Sequence, residues 1–110
     1  MIEREIRKLQ LESGAVPFND WYDSLLDKKT RAAVDIRLAR VRLGNFGTYR
    51  HVGEGVKELK LDLGPGLRIY YGEHEGTTVI LLGGGSKRTQ QRDIHQAIRL
   101  WRQWKQFGKT

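Results

Sequence analysis

Two short segments with period-two alternation carry residue types that could do chemistry together. In Val56 to Leu63, Leu59, Leu61 and Leu63 share one face while Glu58, Lys60 and Asp62 share the other; in Leu67 to Glu73, Leu67, Ile69 and Tyr71 alternate with Arg68 and Tyr70. Pairing the two strands across Gly64-Pro65-Gly66, apolar face inward, puts Glu58, Lys60, Arg68 and Tyr70 together on the opposite, open surface. The Gly-rich stretch Gly83-Gly84-Gly85-Ser86 then delivers Lys87 and Arg88 beside it, with His95 two turns further along a helix. Such a set can cleave RNA without a metal. Attack by a ribose 2′-OH on the adjacent phosphate needs a proton acceptor, cations for the charge on the phosphorane, and an acid for the 5′-oxygen. Lys60, Arg68 and Lys87 supply the cations, Glu58 or a neutral Lys60 the base, and Tyr70 or His95 the acid. Neighbouring cations favour a neutral Lys60 and Glu58 opposes it, so the sign stays open. The same face also reads as plain exposed sheet, whose cross-strand Glu–Lys and Glu–Arg pairs would contribute about 0.2–1 kcal/mol each.

Other chemistries find little support. Gly83-Gly84-Gly85-Ser86-Lys87-Arg88 lacks the frame and the closing Gly-Lys-Ser/Thr of a P-loop. His51, His74 and His95 are neither at metal-ligand spacing nor flanked by paired carboxylates, and Ser13, Ser24 and Ser86 lack a nucleophile-elbow motif. No Cys is present, which removes disulfides, thiolate zinc sites and Cys nucleophiles. The expectation is a site with no cofactor and no metal.

Charge points the same way. Residues 1–85 carry 13 cations and 12 anions, whereas 86–110 carry Lys87, Arg88, Arg92, Arg99, Arg102, Lys105 and Lys109 against Asp93 alone. A basic segment this concentrated attracts polyanions through counterion release, so Arg88 and Arg92, with Tyr70, are expected RNA contacts. A solvated helix face or an acidic protein partner would use the same charges. The N-terminus lacks the apolar stretch of a signal peptide, and the longest apolar run, Val79 to Leu82, is too short to span a bilayer. A cytoplasmic protein that does not enter membranes is expected.

The elements that position these residues can be read along the 110-residue chain, which is long enough for one domain, 1–110. The charged first ten residues read as an edge strand anchored by Ile2 and Ile6. Pro17 opens a helix with Phe18, Trp21, Tyr22 and Leu25 on one face. Asp27 caps a second, from Lys28 to about Leu43, with Val34, Leu38 and Val41 as its stripe, antiparallel to the first. From Phe46 the pattern becomes an antiparallel meander, in which Thr78 to Leu82 is a central strand broken by Gly83-Gly84-Gly85. A final helix, Thr89 to Phe107, turns Ile94, Ala97, Ile98, Trp101 and Trp104 to one side, the Trp pair as core packing.

The motifs also carry a resemblance. Val56-Lys57-Glu58-Leu59-Lys60, Gly64-Pro65-Gly66-Leu67-Arg68-Ile69-Tyr70-Tyr71, Leu81-Leu82-Gly83-Gly84-Gly85-Ser86-Lys87 and Gln90 to Ile94 with Ala97 resemble the HigB-like "addiction module killer" branch of the RelE/ParE toxin superfamily. Trp21, Leu25, Asp27, Arg31, Ala32, Leu38, Arg40, Gly44, Asn45, Gly47 and Gly53-Glu54-Gly55 keep the family's order upstream. The resemblance implies an α+β, RelE-like fold: two N-terminal helices packed on an antiparallel sheet, with a C-terminal helix. It implies a type II toxin that cuts mRNA in the ribosomal A site, leaving a 2′,3′-cyclic phosphate, and is silenced by a helix-turn-helix-type antitoxin. Operator DNA is then contacted through the antitoxin complex. The family's basic active-site positions fall on Lys60, Arg68 and Lys87, with Glu58 beside Lys60, and its C-terminal Tyr or His falls near Ile94 and His95. ParE-like relatives inhibit DNA gyrase on the same fold, and a weakly catalytic partner in a repressor complex is the third reading.

Overall fold

In the computed structural model, which describes residues 2–107, the period-two segments form one five-stranded sheet of order β1-β5-β4-β3-β2. Its strands are β1 (Glu5–Lys8), β2 (Tyr49–Gly53), β3 (Val56–Leu61), β4 (Leu67–His74) and β5 (Thr78–Ser86). Helices α1 (Pro17–Ser24), α2 (Lys28–Arg42) and α3 (Gln90–Phe107) complete the α+β fold. The meander β2 to β5 is antiparallel, and edge strand β1 runs parallel to β5. Met1 and Lys109 lie outside the described residues. Among the described residues, no helix is long and apolar enough to cross a membrane.

Both N-terminal helices start as their sequences dictate. Pro17 occupies the first turn of α1, and the Asp27 carboxylate accepts from the Lys29 backbone N–H at 3.1 Å at the start of α2. Phe18, Val34 and Val41 are buried against Leu59, Leu61, Ile69, Tyr71, Val79 and Leu81, the alternate residues of β3, β4 and β5. This is the core expected on the apolar face.

The opposite face is not open. Helix α3 lies across it, burying Ile94, Ala97, Leu100 and Trp101 against Val56, Tyr70, Ile80 and Leu82. Glu58, Arg68 and Tyr70, expected on a solvated surface, are 2%, 6% and 1% exposed. The cause is the apolar stripe of α3, which needs a partner, together with the apolar residues that β3 and β5 turn to this side, each side chain gaining about 1.5–3 kcal/mol on full burial. Trp101 lies over Gly72, where a Cβ would come within 2.6 Å of the indole, and stacks on half-buried Trp104 at 5.0 Å between centroids.

Nor do the three glycines break β5. The strand runs through them to Ser86, with one extra residue at Leu82, since Tyr70 pairs with Gly83 and Tyr71 with Leu81. Glycine is required here by close approach of side chains from both layers: Trp21 of α1 lies on Gly84, and the Asp93 carboxylate of α3 lies on Gly85. A methyl group at Gly84 would fall inside the Trp21 ring and force it from its edge contact with Phe18. Gly84→Ala is therefore expected to lower unfolding free energy by about 1–3 kcal/mol, read as an earlier midpoint in urea.

Candidate nucleic-acid interface

The antiparallel register of β3 and β4 sets Glu58 opposite Tyr70 and Lys60 opposite Arg68; β3 ends at Leu61, paired with Leu67, so the connection covers residues 62–66 rather than Gly64-Pro65-Gly66 alone. Strand β2 adds Arg50 opposite Glu58, and the first residue of α3, Gln90, reaches the same corner from above. Glu58 becomes the hub. Its Oε1 accepts from Arg50 Nε at 2.8 Å and its Oε2 from the Gln90 amide at 3.0 Å, while Arg68 Nε stands 3.7 Å from Oε2 as an ion pair. Burial pushes the Glu58 carboxyl up, but the hydrogen bonds from Arg50 and Gln90 and the Arg50 charge outweigh it and hold the group below the usual carboxylate range.

Arg68 is buried beside that carboxylate. Its Nη1 donates to the Gly66 carbonyl at 2.6 Å, whereas its Nε has no hydrogen-bond partner. That Nε is itself buried and turned toward Glu58, so Arg68 acts at this corner through its charge and through the part of the guanidinium away from Glu58. Lys87 sits against the same β3–β4 turn, its backbone N–H directed at Pro65 O at 3.4 Å, in a 3₁₀ turn (Lys87–Thr89) between β5 and α3. A Cβ built on Gly66 would lie 3.1 Å from Arg68 Nη1 and 3.5 Å from Lys87 Cβ, so Arg68 and Lys87 border one small space. Lys60 is exposed, 3.7 Å from Asp62, and its strand end is clamped by Arg37 of α2, which donates to the carbonyls of Lys60 at 2.7 Å and Thr48 at 2.6 Å.

The structure thus brings Lys60, Arg68 and Lys87 to one corner around Glu58 and adds Arg50. Arg88 and Arg92 are exposed beside it, on the 3₁₀ turn and the first turn of α3. Of the two expected proton donors, Tyr70 stands across from Glu58 but out of reach of solvent, and His95 stands elsewhere. The Tyr70 hydroxyl is buried under α3 without a hydrogen-bond partner, and burial first, then the Glu58 charge, pushes its pKa far above the ordinary phenol value. His95 is exposed on α3, five residues past Gln90 and so about 140° around the helix from the side chain that reaches Glu58. With both oxygens engaged and almost no exposure, Glu58 is placed to orient Arg50 and Arg68 rather than to take a proton. Arg50, Gln90 and Arg37 were not expected from the sequence.

The Glu58 environment sets a pH dependence. Its folded pKa lies below its unfolded value of about 4.3, so the unfolded chain binds more protons between the two. This stabilisation is fully present above that value and is lost as pH falls through the folded pKa. Thermal unfolding midpoints are expected to drop between about pH 5 and pH 3, with a shallower drop in Glu58→Gln.

No family model matches the sequence. Over 80 residues, which span 73% of this chain and 81% of the relative, it is 41% identical to an uncharacterized protein of Haemophilus influenzae.

Proposed function

We propose that this chain, which belongs to one family with the uncharacterized Haemophilus influenzae protein, is the toxin of a type II toxin–antitoxin pair. On this reading it is a RelE/HigB-like, metal-independent endoribonuclease that cuts translated mRNA in the cytoplasm. The observation that carries the reading is the corner where Arg68, held by Glu58, is flanked by Lys60 across the strand pair and by Lys87 at the β3–β4 turn. The α+β fold with α3 packed behind that corner is consistent with the family resemblance, which adds weight without choosing the target.

In the proposed reaction the 2′-oxygen bonds to phosphorus and the 5′-oxygen leaves, giving a 2′,3′-cyclic phosphate and a 5′-hydroxyl. Arg68, Lys60 and Lys87 stabilise the charge that builds on the phosphorane oxygens. On this reading Lys60 or Lys87, both exposed, protonates the leaving oxygen, and solvent takes the 2′ proton. Arg88 and Arg92 hold the flanking RNA backbone. The partners on this reading are ribosome-bound mRNA and a helix-turn-helix-type antitoxin, through which operator DNA is contacted.

Induced expression with mapping of new mRNA 5′ ends tests the proposal. The expected result is growth arrest with cuts confined to translated messages, absent when Arg68 is replaced. Arrest without new ends would overturn it in favour of a ParE-like gyrase inhibitor, and no arrest with operator binding beside the antitoxin would favour a non-catalytic repressor partner.

A further inference from the structure

Helix α2 is apolar on two sides. Val34 and Val41 face the sheet and are fully buried, yet Ala32, Ile36, Ala39 and Leu43, spaced i, i+4, i+7 and i+11, form a second stripe on the outer face. Ile36 is 55% exposed and Leu43, at the C-cap, 60%. By helical geometry Lys29 and Arg40 border this stripe on one side and Lys28 and Arg42 on the other. One carboxylate, Asp35, lies on that border and lines the groove described next, accepting from the Tyr22 hydroxyl at 3.0 Å, so the face keeps an excess of cations. Next to Ala39 and Arg42 a groove of about 430 Å³ opens between α1, α2 and β1, with Ile6, Phe18, Leu38 and Leu81 in its walls.

We propose that this face docks an amphipathic helix of a partner protein, with apolar residues along its seam and acidic residues on both flanks. Small Ala32 and Ala39 let a second helix approach closely, Ile36 and Leu43 supply the apolar anchors, and the groove accepts a larger side chain from the partner. The four flanking cations select the partner's charge. A second copy of this chain is disfavoured, because it would bring the same four cations of each copy to one seam. A nucleic acid is also disfavoured, since phosphates would lie on Ile36 and Leu43. The face is on the far side of the sheet from Arg68, so a docked helix leaves the cation corner open, and the proposal holds whether or not that corner cuts RNA.

The test is fluorescence anisotropy of a labelled synthetic peptide of three heptads, Leu at a and d and Glu at e and g, titrated with the full chain. Saturable, salt-sensitive binding is expected, weakened about tenfold or more in the double variant Ile36→Ser, Leu43→Ser. Circular dichroism is expected to show this variant folded, since both side chains are exposed. A peptide with Lys at e and g is expected not to bind. The proposal is overturned by absent binding, by equal affinity of the double variant, or by equal affinity for the Lys peptide. Sedimentation that shows a dimer dissociated by the double variant would assign the face to self-association, and loss of binding to phosphatidylglycerol vesicles in that variant would assign it to a lipid surface. Either result overturns the proposal.

Discussion

Glu58→Ala is expected to destabilise the chain by about 3–5 kcal/mol, enough to unfold a large fraction of a marginally stable domain. The carboxylate is 2% exposed and is the acidic partner of two arginines, one of which, Arg68, is itself buried. Its removal leaves the Arg68 guanidinium in the interior with one hydrogen bond, to the Gly66 carbonyl, and leaves the Gln90 amide without its acceptor. Arg50 can turn to water, because its side chain is 59% exposed, which places the expected loss toward the lower end of the range. Equilibrium urea unfolding of both proteins at neutral pH checks this. Glu58→Gln separates orientation from proton transfer: it keeps the shape and one acceptor oxygen. A general-base role would remove all cleavage from a stable Gln variant, whereas an orienting role gives a destabilised variant whose folded fraction still cuts.

How much of this was legible in the sequence depended on whether a pattern survived local irregularity. That Glu58, Lys60, Arg68 and Tyr70 share one face followed from alternation and holds, but their pairing did not: a turn of Gly64-Pro65-Gly66 alone would set Lys60 opposite Tyr70, whereas the five-residue connection 62–66 sets Lys60 opposite Arg68 and Glu58 opposite Tyr70. Arg50 was hidden by a bulge. Counting back from the Gly53 pair with Val56 would set His51 opposite Glu58, but an extra residue at Val52 moves the chain by one and puts Arg50 there. The burial of Glu58 and Arg68 was hidden by their charge, which reads as solvent exposure in a single strand. The outweighing signal lay in other elements: Ile80 and Leu82 alternate onto the same side, and α3 carries an apolar stripe with nowhere else to go. The glycines of β5 read as a strand break because small residues are poor in sheets, yet what removes their side chains is the approach of Trp21 and Asp93. No local pattern announces the contact of Trp21 with Gly84, 63 residues apart in the chain.

Arg68→Ala is expected to reduce the cleavage rate per folded molecule by about a hundred- to a thousandfold, the usual loss when one preorganised donor to a developing oxyanion is removed. Because Arg68 is buried, the substitution also exposes the Glu58 carboxylate to desolvation with only Arg50 and Gln90 against it, so some loss of stability accompanies it. An open sheet face would have predicted no such loss. The two effects separate when rates on ribosome-bound message are divided by the folded fraction from circular dichroism. Arg68→Lys adds a second axis: it keeps the charge beside Glu58 but gives up the planar guanidinium that reaches the Gly66 carbonyl while facing Glu58. It is expected to be more stable than the Ala variant and still at least about tenfold slower than the parent, since an ammonium on a flexible stem is not fixed as the guanidinium is between Gly66 and Glu58. A Lys variant that cuts at the parent rate would make Arg68 a structural cation, and phosphorane stabilisation would then fall to Lys60 and Lys87 alone.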